Sequence, residues 1–513
     1  MPMSTIWRAV LAAGIVSTLS ACMDLDIENP NEPDRERALS NPGDLEALIQ
    51  SQFEVFWTVQ QGNAPGPALD AMAEVESLTS ANYGFQDQGM IPPQPIVNQV
   101  GYNWGYWVRD PFQNQYRALA AIRDVLLSIR DLGIQLPSGA RVNAIAKFLQ
   151  GVFHANIALQ YDRGFILDET VERPGALELR PYGEVMEAAR RYLAEARAIA
   201  AAESFTIPEG WLGPASMSRE RFIQVAHSYE ARFMAQVARS PEERAQVDWN
   251  EVLDHIENGI REDFGVELDG PGGRWNAPYK GRSSLNANVA PAFIGPADQS
   301  GAYQRWESLP PSERAPFLID TDDRRITDGT PTGPGKYVVY RDYTVGAPER
   351  GLWYLSYYAR RWWPQIGDTG FGFAPDITVQ ERNFLRAEAY MRLGQPELAL
   401  PIINEARTQI GELPPATLEG ATGERCVPRS VGLLAKASSR PEGECGDLWQ
   451  VLIYEKRMQL AFLSQGNAYY DARGFGTLRT GRAIHAPVPM EELQLLGISH
   501  YTFGGVGGPG SAP

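Results

Sequence analysis

The sequence predicts a mostly α fold: a scaffold of stacked helical hairpins with a long loop-rich insertion that forms a ligand-binding face. Three observations predict it. Four stretches between residues 116 and 239 repeat apolar residues at helical spacing. A window from Thr378 to Gly411 sets small and aromatic residues at the offsets of a two-helix repeat. Between them, Asp263 to Pro375 is rich in Gly, Pro, Asn and Ser, with scattered Trp and Tyr and no sustained period.

The start of the chain is a targeting segment, not part of the fold. Arg8, the apolar run Ala9 to Val16 and the small residues leading to Cys22 have the layout of a secretory signal over residues 1–21. The run is too short to span hydrocarbon ~30 Å thick, which takes about 20 apolar residues. Leu19, Ser20, Ala21 and Cys22 look like a bacterial lipobox, which makes Cys22 the expected acylation site and first mature residue. Each buried acyl methylene contributes about 0.8 kcal/mol, so the mature chain is expected to be anchored to a membrane through lipid. Residues 22–43 are polar and aperiodic and read as a tether.

From residue 44 to 513 the pattern fits one domain, with helical repeats over about 44–263 and 376–465 and the insertion over about 264–375. Asp44 is expected to cap a helix whose buried face is Leu45, Leu48, Ile49, Phe53 and Phe56. Helices follow over Tyr116–Leu132, Val142–Tyr161, Tyr182–Ala201 and Arg219–Arg239. Pro181 suits a first helical turn, and Ser218 opens the fourth helix after a Gly- and Pro-rich break. A structureless insertion of this length is a functional signal, and Lys336 to Tyr340 alternates as a short strand would.

Past the insertion, Ala387, Tyr390, Gly394, Ala399, Ile403 and Ala406 match a tetratricopeptide unit. Small residues let its two helices approach, Tyr390 fills the groove, and Gly394 ends the first helix. One such unit cannot bury its own apolar face, so the earlier hairpins are its expected neighbours in a curved stack. A last helix is predicted over Leu448–Leu463, and the Gly-rich tail from Gly504 is expected to be unstructured.

Composition narrows the function. A formal charge of -17 argues against nucleic acid as a partner, and 43% hydrophobic residues supply a large core. Cys426 and Cys445 close a Pro-, Gly- and Ser-rich loop, and in an exported chain they are expected to form a disulfide. A loop of about 20 residues closed this way contributes roughly 3 kcal/mol in the chain-entropy model. Only 5 histidines exist, none near these cysteines, so no metal or cofactor is expected.

Aromatic residues carry the candidate site. Trp353, Tyr354, Tyr357, Tyr358, Trp362 and Trp363 put six rings within 11 residues, and flat rings stack on the C–H faces of sugars. Tyr102, Trp104, Tyr106 and Trp107 form a second group, whose even spacing would aim rings one way along an extended chain. Trp275 and Tyr279 lie in a Gly and Pro loop where exposure is expected. The ligand-binding candidates are Trp353, Tyr357, Trp362, Trp104, Trp107 and Trp275. The competing reading makes these rings the seam between insertion and helices. Enzymatic motifs are absent from the sequence, and His154, His227 and His255 fall within helices, so no catalysis is expected. Glu74 and Glu76 are the one conceivable glycosidase pair.

Taken together, Asp26 to Asn31 with Asp44 to Glu46, the run Leu385 to Tyr390, Glu455, Lys456, Leu460 and Phe462 with Asp471 and Arg473, and Pro487 to Leu493 resemble the SusD and RagB family of nutrient-uptake lipoproteins. Lys456 stands where arginine is usual. The resemblance implies a scaffold of four repeat units, seated as a lid on a TonB-dependent channel. It implies capture of oligosaccharides or peptides at the outer membrane. Asp24 and Asp26 are similar to the tag that sends such lipoproteins to the cell surface. The alternatives are peptide capture, a repeat scaffold for other envelope proteins, and a divergent glycan hydrolase.

Overall fold

The computed structural model describes residues 39–77, 85–171, 177–280, 288–310, 313–341, 357–463 and 466–513. Cys22 and Trp353 lie outside them, as do Tyr354, Asp24 and Asp26.

Helix α1 (Pro42–Gln61) is capped by Asn41, not Asp44: the Asn41 carboxamide oxygen accepts the Gly43 N–H at 2.9 Å. Pro42 needs no such partner at the first position, and Asp44 sits in the first turn, where its charge favours the helix dipole. Leu45, Ile49, Phe53, Phe56 and Trp57 form its buried face.

Helix α2 (Tyr106–Asp131) begins ten residues before the predicted start and runs through Pro111. A proline cannot donate to the carbonyl four residues back, which orphans the Trp107 oxygen. Gln160 of the next helix supplies the missing donor, at 3.0 Å. Tyr106 and Trp107 therefore lie in a helix, not in the extended chain their even spacing suggested.

Helices α3 (Gly139–Gln160) and α4 (Tyr182–Ala202) pack so closely that a Cβ on Gly151 would stand 2.6 Å from Leu193 Cγ. Next come α5 (Arg219–Gln236), with the Ser218 hydroxyl accepting Arg221 N–H at 3.2 Å, and α6 (Trp249–Glu257), capped by Asp248. The repeat window forms α7 (Val379–Arg392) and α8 (Pro396–Gln409), joined through Gly394 at φ +73°. Helices α9 (Leu448–Leu460) and α10 (Asn467–Phe475) complete the scaffold, α9 starting from a capping box of Asp447 and Gln450.

Each helix from α1 to α8 packs on the next in order, and α9 lies against both α7 and α8. This is the mostly helical, tetratricopeptide-like stack that the periodicity predicted. Ala387, Ala399, Ile403 and Ala406 are all buried at its α7–α8 turn.

Because α6 packs directly on α7, the chain between them loops out of the stack. That stretch starts with β1 (Phe264–Asp269), contains β2 (Val338–Tyr340) and β3 (Tyr357–Ala359), and ends with β4 (Phe371–Ile377). β1 and β4 pair antiparallel, which brings the two ends of the stretch together; β2 and β3 pair in the same sense.

The C-terminal tail is ordered, contrary to expectation. Gly481 N–H donates to Ala512 O at 2.9 Å and Ala512 N–H to Arg482 O at 2.7 Å, so backbone pairing holds a glycine-rich segment that has few side chains to bury. Among the described residues no helix is long and apolar enough to cross a membrane.

Candidate ligand-binding face and the ionic frame behind it

Three of the residues that carried the family resemblance, Glu388, Lys456 and Asp471, meet in the interior. Arg244 makes a two-pronged contact with Glu388 of α7, both bonds 2.8 Å, and reaches Asp471 of α10 at 2.9 Å. Lys456 of α9 bonds the same two carboxylates at 3.2 and 3.0 Å. Burial opposes ionisation of Glu388, yet Arg244 and Lys456 hold its carboxyl down at about 2. Two cations face two anions, and four segments distant in sequence are locked at one point.

A second set fastens the looped-out stretch to the repeats. Glu455 of α9 accepts from Arg325 at 2.6 Å and from Arg407 of α8 at 3.1 Å, while Arg325 also grips Asp323 at 2.6 Å. Arg473, another of the resemblance residues, donates to Leu159 O and Gln236 O, each at 2.9 Å, and so caps the ends of α3 and α5. Sequence reasoning missed Arg244, Arg325 and Arg407, because a buried arginine has the same local pattern along the chain as an exposed one.

The groups that invited a chemical reading are engaged in structure. The Glu74 carboxylate is buried and clamped by Arg479 through bonds of 2.5 and 2.8 Å. Burial raises its pKa, but Arg479 and Arg482 outweigh that and hold it below the usual range. An ionised, arginine-bound carboxylate is poorly suited to donate a proton to a glycosidic oxygen.

His154 donates from Nδ1 to Gln150 O at 2.7 Å and accepts Leu167 N–H on Nε2 at 3.0 Å, which fixes the neutral tautomer; burial pushes its pKa down to about 4. Glu230, Glu251 and His255 bring ligand atoms within 4.8 Å of one another. Arg190, however, bonds Glu230 at 3.1 Å and Glu251 at 2.6 Å, so a guanidinium already stands where a metal cation would neutralise them. His227 meets His255 nitrogen to nitrogen at 2.8 Å beside this group.

The six candidate rings fare differently. Trp107, Trp275 and Tyr357 are 2%, 4% and 0% exposed, so these three rings belong to the packed interior. The expected exposure of Trp275 and Tyr279 is overturned because their loop folds back on α1. Trp57 donates to Asn276 O and Tyr279 N–H to Gln61 O, both at 2.7 Å, and Trp275 packs on Phe53. Tyr357 OH donates to Pro331 O at 2.6 Å and accepts Ile319 N–H at 3.0 Å.

Trp362 is half-buried, with the Arg361 guanidinium 4.8 Å and the Lys280 ammonium 5.7 Å from its ring centre; its indole Nε1 is buried and has no hydrogen-bond partner among the described residues. Arg361 also covers Tyr337 at 4.4 Å. Trp104 is half-exposed and meets Tyr106 edge to face, with no ring contact to Trp362 among the described residues. Trp353 belongs to the connection between β2 and β3, outside the described residues. The reading missed Phe371, 54% exposed on β4.

Trp362 and Tyr337 thus flank the Arg361 guanidinium, which donates to Gln459 O and Ala461 O; what the group offers a ligand is the part-exposed flat face of the Trp362 ring. A groove of about 280 Å³ lies between α7 and α8, lined by Asp263, Asn383, Phe384, Ile402, Glu405 and Gln409.

The predicted cysteine pair is bonded: Cys426 and Cys445 form a disulfide.

No family model matches the chain, and no curated protein matches it. Solved structures do. A SusD superfamily protein of Bacteroides vulgatus aligns over 89% of this chain and 97% of its own, with TM-score 0.56 and 12% identity. A SusD-like protein of Bacteroides fragilis aligns over 90% and 97%, with TM-score 0.54 and 14% identity. A SusD homologue of Bacteroides thetaiotaomicron aligns over 88% and 92%, with TM-score 0.51 and 12% identity. Near-complete coverage of both chains shows that this protein has the SusD-like fold.

Proposed function

We propose that the protein is a non-catalytic nutrient receptor of the outer membrane, lipid-anchored through Cys22 and facing the cell surface. It binds oligosaccharides and delivers them to a TonB-dependent channel. The observation that carries this reading is the agreement of fold with SusD-like proteins over nine-tenths of the chain. The clamped state of Glu74 supports binding without hydrolysis. The part-exposed ring of Trp362 is the proposed contact, and Trp104 and Trp353 are the other rings proposed to meet the ligand. Trp275, Trp107 and Tyr357 are buried and are not proposed as contacts.

The test begins with the full-length tagged lipoprotein, extracted from native outer membranes in mild detergent. A TonB-dependent channel recovered in equal amount is the expected result; the protein alone, or with unrelated partners, would overturn the uptake reading in favour of an envelope scaffold. The purified protein is then titrated against a panel of polysaccharides and peptides. Binding to peptides alone would replace the oligosaccharide assignment with peptide capture.

A further inference from the structure

Helices α4, α5 and α6 meet around two histidines that the packing sets face to face. His227 of α5 is part-exposed and His255 of α6 is 5% exposed. Their Nδ1 atoms are 2.8 Å apart and their ring centres 5.0 Å apart. The difference is what the two ring radii supply, so both nitrogens lie on the line between the centres and point at each other. Such a contact holds only with one hydrogen between the nitrogens: with none the lone pairs repel, and with two the N–H groups collide.

The surroundings decide which ring supplies it. His255 Nε2 stands 3.4 Å from Glu230 Oε1 and 4.0 Å from Glu251 Oε1. Burial opposes ionisation of Glu230, yet His255 and Arg197 hold its carboxyl down at about 2, so it is an acceptor and His255 carries a hydrogen on Nε2. In the neutral pair His255 Nδ1 is then the acceptor and His227 Nδ1 the donor. His227 Nε2, which has no hydrogen bond among the described residues, keeps its lone pair. The charge around the pair is one short of balance. Arg190 and Arg197 of α4 face Glu230 of α5 and Glu251 and Asp254 of α6, while Arg386 of α7 is taken by Glu257. Three carboxylates against two guanidinia leave one negative charge for a proton to cancel.

We infer that His227 and His255 form a site that binds one proton from solvent and stays closed while doing so. The proton adds to the lone pair of His227 Nε2. The His227 Nδ1–H bond breaks as the His255 Nδ1–H bond forms, and the positive charge ends on His255 beside Glu230 and Glu251. The hydrogen bond between the rings survives with its direction reversed. A second proton sets two N–H groups and two cations against each other, which parts α5 from α6; burial, then Arg197 and His255, defer that step by pushing His227 down to about 4. Ile260, whose N–H donates to Ser228 Oγ at 2.9 Å, lies between α6 and β1, so the parting loosens the root of the looped-out stretch.

The chain has 5 histidines, so labelling histidine alone with ¹⁵N resolves the pair by magnetic resonance. In the full chain at pH 7 the expected spectrum has one far-downfield proton coupled to nitrogens of both rings. It should persist on acidification while the pair takes up its first proton and vanish with the second. Two Nε2–H rings with no shared proton at pH 7, loss of the shared proton with the first uptake, or no uptake before the chain unfolds would each overturn the inference. The variant His227→Gln separates coupling from packing, since a glutamine amide still offers His255 Nδ1 a donor. Losing the second ring should move the His255 titration midpoint by about one unit or more. An unmoved midpoint in a folded variant means that the two rings do not share a site.

Discussion

The helical repeats and the looped-out stretch between β1 and β4 are held by different physics. In the repeats, charge is taken inside and completed there: Arg244, Lys456, Glu388 and Asp471 leave little for water to compete with. The looped-out stretch is held at its ends, by the β1–β4 pairing, and at separate interior points, among them Arg325 on Glu455 and Trp57 on Asn276. Its aromatic residues divide between packing beneath and half-exposure above. The most recognisable of the described residues thus maintain the scaffold, while the proposed contact at Trp362 lies in the looped-out stretch.

The largest effect expected from that contrast is at Glu388. Glu388→Gln leaves Arg244 and Lys456 buried beside a neutral amide, and removing one partner of a buried ionic set costs about 3–5 kcal/mol. Urea unfolding measures it. A loss below about 1 kcal/mol would mean the frame is not what holds the repeats. Removing the disulfide with Cys426→Ser and Cys445→Ser together should cost about 3 kcal/mol. It should leave ligand affinity unchanged, since the loop it closes packs against α7 to α9 and not against Trp362.

Acid should act on the scaffold next. Unfolded His154 takes up a proton near 6.5 and the folded one only near 4, because burial and the Leu167 N–H oppose the cation. Between those values the unfolded state binds more protons, so stability is complete above 6.5 and falls as pH drops toward 4. His227, pushed down to about 4 by burial, then by Arg197 and His255, acts in the same direction. Melting at pH 7.0 and 4.5 should show the loss, and His154→Gln should flatten it; an unchanged slope would assign the loss to other groups.

The smallest effect on stability and the clearest on binding belongs to Trp362. Trp362→Ala should shift unfolding by less than about 1 kcal/mol, since the ring is only partly buried. It should weaken binding at least about tenfold, or 1.4 kcal/mol, by titration calorimetry against the best oligosaccharide found. Equal losses of stability and affinity would erase the division between scaffold and face.

Much of the scaffold was legible because helix period, caps and small-residue spacing are local properties. Ser218, Gly394 and the Ala387 to Ala406 pattern each specify a feature within a few residues of themselves. The candidate face was less legible. Burial of a ring depends on what folds over it, and nothing near Trp275 or Tyr279 indicated that α1 would. The ordered tail escaped for the same reason: its partners, Gly481 and Arg482, become neighbours only after folding.

By itself the sequence determined where helices form, which residues turn the chain, and that the apolar faces require one continuous stack, since these follow from backbone sterics and the burial of apolar surface. Only the tertiary structure decided which polar groups complete one another: that Gln160 satisfies the carbonyl orphaned by Pro111, and that Arg244 is the counter-charge of Glu388. Hydrogen bonds and buried charges are pairwise and directional, so their partners are specified by position in space and leave no local trace along the chain.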